Sequence, residues 1–134
     1  MRRIRILIVT SYKDRTIETV LGEVDYVVLQ LDNLDVVDLT IEQFKPDLII
    51  TQFGLSSNYR KFMTSFAERG LRALHIVQTY FHTQYHGRYY AKYKDLIAFS
   101  TMPHTDEMLI EAVEAMISDI QDDVDWLNQI YQDE

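Results

Sequence analysis

Residues 46–52 read PDLIITQ. A proline is followed by an aspartate, then three large apolar residues and two polar ones. Pro46 stops whatever helix precedes it, because it lacks an N–H and its ring fixes φ. The unbroken apolar run after Asp47 suits a strand covered on both faces, as in a parallel sheet; a strand with one wet face would alternate. The same pattern opens the chain, in IRILIVT at 4–10.

Strand-like runs recur outward from these two. DYVVLQL (25–31), RALHIVQT (72–79) and DLIAFS (95–100) complete a set of five. Between them lie helical patterns. Ile17, Val20 and Leu21 share a face, with Asp14 as a candidate cap and Gly22 as the end. Val37, Ile41 and Phe44 mark a short helix before Pro46. A third begins at Ser56 or Ser57, carries Tyr59, Phe62, Met63 and Phe66 on one face, and closes at Gly70. The tyrosine-rich stretch 78–94 is a fourth, and one long helix is expected from about Thr105 to Gln132. Five strand–helix repeats with short connections predict an α/β fold: a five-stranded parallel sheet with helices on both faces, flavodoxin-like, with an extended C-terminal helix. The expected division is a domain over 1–120 and a helical extension over 121–134. Sites in such sheets gather at the carboxyl ends of the strands.

Composition narrows the function. The net charge is −8, from 21 acidic and 13 basic side chains, which opposes attraction to nucleic acid or anionic lipid. There is no cysteine, which removes disulfides and thiolate chemistry and fits a cytoplasmic protein. The apolar run at the start is too short to span a membrane, and no secretory signal is expected. The first loop has no glycine, so a dinucleotide fingerprint is missing. TSYKDRT (10–16) has the hydroxyls of a flavodoxin-type phosphate loop, but no glycine, and Asp14 would repel phosphate. Thr10 stands where a phosphocarrier domain would need a nucleophilic cysteine.

The order and spacing of four landmarks resemble the response-regulator receiver family over about residues 4–120. They are ILIVTS at the end of strand one, PDLIITQ in strand three, HIVQT in strand four and FSTMPHTDEML after strand five. The resemblance implies a phosphoacceptor aspartate at position 52, where this chain has Gln52. It implies a Mg²⁺-holding acidic pair at Thr10 and Ser11, which are neutral oxygens with a weak hold on a hard dication. It implies a lysine at Met102. The switch hydroxyl is kept as Thr79, the following proline as Pro103, and the rotating aromatic as Phe99. The expected protein is therefore a degenerate receiver, a pseudo-receiver without catalytic residues or cofactor.

Two surfaces are candidates for partners. Five tyrosines fall between Tyr80 and Tyr93, with His82 and His86 four apart among them. The two histidines lack further ligands nearby, so no metal is expected. Arg88, Lys92 and Lys94 beside the rings could stack on single-stranded nucleic acid, which the overall charge opposes. Tyr85, Tyr89, Tyr90 and Tyr93, with Phe99, suit a protein-binding face, since tyrosine buries much area at low entropy cost. In the tail, Leu109, Val113, Met116, Ile120, Leu127 and Ile130 recur at heptad-like spacing, broken only by Asp123. That stripe could form a dimer stalk through Leu127, lead to an effector domain, or fold back on the body. The expected function is a homodimeric, phosphorylation-independent protein-interaction module in a signalling or gene-regulatory pathway. The alternative is a small-ligand sensor or small enzyme using Thr10, Ser11, Gln52 and Thr79.

Overall fold

The computed structural model describes residues 3–10, 15–52, 57–78, 97–102 and 105–133. Five strands form one parallel sheet in the order β2-β1-β3-β4-β5. They are β1 (Arg5–Thr10), β2 (Val27–Leu31), β3 (Leu48–Gln52), β4 (Ala73–Gln78) and β5 (Ile97–Met102). β1 lies between β2 and β3, with Leu7 opposite Leu29 on one side and Ile49 on the other. The expectation that β1 and β3 are covered on both faces follows directly: Ile6, Leu7, Val9, Leu48, Ile49 and Ile50 are all at 0% exposure.

Side chains alternate between two apolar layers, as the pleat requires. Ile6, Ile8, Leu48, Ile50, Leu74 and Ile76 meet α1 (Thr16–Gly22), α4 (Asp106–Gln121) and α5 (Val124–Asp133). Leu7, Val9, Ile49 and Ala73 meet α2 (Val37–Phe44) and α3 (Ser57–Glu68). β2 is an edge strand, and Val27 and Leu29 are partly exposed there.

Helix ends explain several boundaries. α3 closes on Gly70, which has φ 71°. Gly70 N–H donates to the Ala67 carbonyl and Leu71 N–H to the Phe66 carbonyl, the paired bonds of a Schellman motif. Phe62 and Phe66, expected on the inner face of α3, stack at 5.8 Å between centroids. α1 differs from expectation. Its capping position is Arg15, whose guanidinium bonds Glu18 at 3.0 Å, while Asp14 lies outside the described residues. Gly22 is its last helical residue, and Glu23 beyond it stays right-handed. α2 ends on Lys45 in the left-handed region, φ 52°, directly before Pro46. A 3₁₀ turn at Leu34–Val36, capped by Asn33, precedes α2.

The single long C-terminal helix is corrected. α4 ends at Gln121 and a second helix, α5, starts at Val124. The break is at Asp123, the residue that interrupts the heptad-like series. Its Oδ1 accepts from the N–H groups of Asp125 and Trp126 at 2.8 and 3.4 Å, so it caps α5. Its Oδ2 accepts from Arg72 Nη2 at 2.8 Å. α5 then turns back onto the body: Trp126 and Ile130 join the cluster of β1, β3 and β4, and Leu127 packs half-buried against it. Trp126 Nε1 donates to Asp47 Oδ1 at 2.8 Å, and Asp47 Oδ2 accepts from the backbone N–H of Arg5 at 2.8 Å. The stripe expected to form a stalk is largely spent on the chain's own core.

Two predictions follow from this clasp. Trp126 should emit as a buried indole, and Trp126→Ala should cost about 3–5 kcal/mol in denaturant unfolding. Emission typical of solvent in the native protein would mean that α5 is undocked. The Asp123 carboxyl is held below its usual 3.8, first by the Arg72 hydrogen bond and then by the two backbone N–H groups, against the opposing effect of burial. A depressed carboxyl contributes stability above its unfolded pKa, lost as pH falls through the lowered one. Asp123→Asn keeps a cap and should cost less than about 1 kcal/mol near neutrality. It should also flatten the acid limb of stability below the usual carboxylate range. Asp123→Ala should cost about 1 kcal/mol more.

Candidate functional site at the strand ends

The order 2-1-3-4-5 places a switch point between β1 and β3, where connections leave in opposite directions and a crevice opens at the carboxyl ends. Thr10 and Gln52 are the last residues of those two strands and lie opposite one another in register. Thr10 is buried, and its Oγ1 donates to the backbone carbonyl of Gln52 at 3.3 Å. Two expected site residues are therefore brought together. Ser11 and Thr79 lie outside the described residues.

Met102 is the last residue of β5, opposite Gln78 of β4. DLIAFS predicted the strand to stop at Ser100, but it continues two residues, so position 102 sits on the strand and not in the loop after it. Phe99 lies within β5, opposite His75. Tyr85, Tyr89, Tyr90 and Tyr93, and the His82/His86 pair, lie outside the described residues. Leu127 belongs to α5, against the chain's own core.

One polar contact was missed by sequence reasoning. Thr51 and His75 are opposite one another in β3 and β4, and the Thr51 hydroxyl is hydrogen-bonded to His75 Nδ1. Both are buried, one residue deeper than Gln52. Parity puts both on the buried face with Ile49 and Ala73, and the register of β3 against β4 sets them opposite one another.

The chemistry available follows from these groups. Thr10 offers a hydroxyl already engaged, and Gln52 a carboxamide. Neither β1 nor β3 ends on a carboxylate, so these two ends supply no anionic oxygen for a hard dication. A carboxamide at position 52 cannot form an acyl phosphate. Among the described residues no three His, Asp or Glu side chains gather as metal ligands. No helix among them is long and apolar enough to cross a membrane.

Two open clefts lie at the opposite, amino edge of the sheet. One of about 450 Å³ is lined by Arg3, Asp25, Tyr26 and Glu114 among others. Burial, and then the Glu114 carboxylate, push the Tyr26 phenol above its ordinary range. The other, of about 290 Å³, lies beside the α5 clasp at Asp47, Arg72 and Trp126.

No family model matches this chain, and no curated protein matches it. Its fold does match solved structures. The signal receiver domain of an HD domain-containing protein from Pseudomonas fluorescens Pf-5 superposes with TM-score 0.77 at 12% identity, over 91% of this chain and 100% of that one. A CheY-like receiver domain from Methanospirillum hungatei JF-1 gives 0.71 at 14%, over 90% and 98%. NtrX from Brucella abortus, in complex with ATP, gives 0.72 at 15%, over 98% of this chain but 29% of that chain. The chain thus has a receiver-like, flavodoxin-like α/β fold with a parallel sheet and a C-terminal helix.

Thr51→Val tests the buried pair. It keeps the side-chain shape, removes the hydroxyl and takes from His75 Nδ1 this hydrogen bond. It should cost about 1–3 kcal/mol in urea unfolding with the fold retained. A change near zero would remove the pair from the account of the core.

Proposed function

We propose that this protein is a protein-interaction module of a signalling or gene-regulatory pathway, built on a receiver-like fold that is not switched by aspartyl phosphate. The observation that carries it is the pairing at the switch point. Gln52 ends β3 where receivers hold their phosphoacceptor, and Thr10 ends β1 beside it. Neither side chain is charged, where the resemblance expects an acidic pair and an aspartate. A packed domain without a phosphoacceptor can still work by binding a partner. The small-ligand or enzyme alternative has less support. The Thr10 hydroxyl is buried and bonded to its neighbour's carbonyl, which favours a cluster that satisfies itself. The argument for a stalk dimer through Leu127 falls with the single long helix. The tyrosine-rich segment keeps its place in this reading as a contact surface for a partner protein.

Acetyl phosphate or beryllofluoride with Mg²⁺ should therefore leave the protein unmodified. Intact mass should show no phosphoryl adduct, and amide NMR shifts around Thr10, Gln52 and Gln78 should stay in place. A stoichiometric adduct at any strand end would refute the reading.

A further inference from the structure

α5 is apolar around more of its circumference than the body covers. Trp126 and Ile130 face inward at 8% and 1% exposure. Val124, Leu127 and Tyr131, at i, i+3 and i+7, form an adjoining stripe. Leu127 is half-buried at its inner margin, while Val124 and Tyr131 remain 67% and 68% exposed. α5 is thus pinned from within by Trp126 and capped by Asp123, and it still presents apolar side chains outward.

The charge around the stripe is one-sided. Residues 105–134 contain ten acidic side chains and no basic one. The rest of the chain holds 13 basic and 11 acidic side chains, so the whole net negative charge resides in this C-terminal segment. Asp119 on α4, Asp122 in the turn after it and Asp125 on α5 are exposed. Asp123 is already bonded to Arg72, a residue of the body. A second copy of the same face would bring two such acidic arrays together, and like charges disfavour that pairing. Anionic lipid and nucleic acid meet the same repulsion. An apolar stripe on a segment whose every charged side chain is acidic is complementary to an amphipathic helix with cations along its margins.

We propose that the outer face of α5 docks a basic amphipathic helix of another protein. Its apolar side chains lie on Val124, Leu127 and Tyr131, and its lysines or arginines reach Asp122 and Asp125. This rests on the binding-module reading above and adds to it a surface and a partner chemistry.

The test uses the full chain and two synthetic probes. One is an amphipathic helical peptide of leucine and lysine; the other has glutamate in place of every lysine. Fluorescence anisotropy should show binding of the first and none of the second. Val124→Ser combined with Tyr131→Ser should weaken the cationic probe at least about tenfold, since truncation at the centre of an interface costs more than at its rim. Leu39→Ser, on exposed α2 across the sheet, should change nothing. Buried emission from Trp126 in the double variant establishes that α5 is still docked. Undiminished binding by the double variant would overturn the proposal, because general charge attraction would then account for it. Absence of binding by the cationic probe would overturn it too. So would a sedimenting dimer that the double variant disperses, which would make the occupant a second copy. A phosphoryl adduct in the earlier experiment would break the binding-module reading by itself, whereas failure of the peptide without an adduct breaks only this proposal.

Discussion

β1 and β3 lie side by side at the centre of the sheet with both faces covered, and the rest of the molecule is arranged to cover them. A strand buried on both faces has no wet side, so every second residue must meet a helix above and the others a helix below. That requirement places α1, α4 and α5 on one layer and α2 and α3 on the other. It also fixes register, because a slip of one residue would exchange the two layers. Asp47 and Arg5, at the starts of the two strands, are tied by a hydrogen bond at that register.

The same pair of strands explains why α5 folds back. Asp47 accepts from Arg5 on one oxygen and from Trp126 on the other. A carboxylate at the foot of the sheet holds β1, β3 and the C-terminal helix at one point. Arg72, just before β4, reaches Asp123 at the turn between α4 and α5. Either polar contact alone is modest beside the burial of Trp126 and Ile130. Together they set the angle at which that burial is achieved, and they leave the Val124–Tyr131 stripe facing out.

At the other edge of the sheet the fold brings the ends of β1 and β3 together. Thr10 and Gln52 meet there as the topology requires, a hydroxyl beside a carboxamide. Just below them, the Thr51 hydroxyl and His75 Nδ1 are hydrogen-bonded between the strands. Polar residues placed this deep in an apolar layer must be paired, so their bond belongs to the core and to the upper floor of the site alike.

Much of the architecture was legible from residue patterns. The apolar runs at 4–10 and 46–51 named the central strands, because only two-sided burial asks for such runs. Pro46 and Gly70 marked boundaries through backbone chemistry that depends little on context. That neither Gln52 nor Thr10 carries a charge was equally plain, and strand ends in a parallel sheet share one edge. Other features were decided in three dimensions. The pairing of Thr51 with His75 depends on which strands are neighbours and in what register, and neither is local. The tail's heptad-like spacing described an apolar stripe but not what would cover it. Asp123 read as a flaw in that stripe. Its Oδ1 caps the N–H groups of Asp125 and Trp126 beside it, which is local, but its Oδ2 is held by Arg72, far off in the sequence, and only the fold brings that donor to the turn.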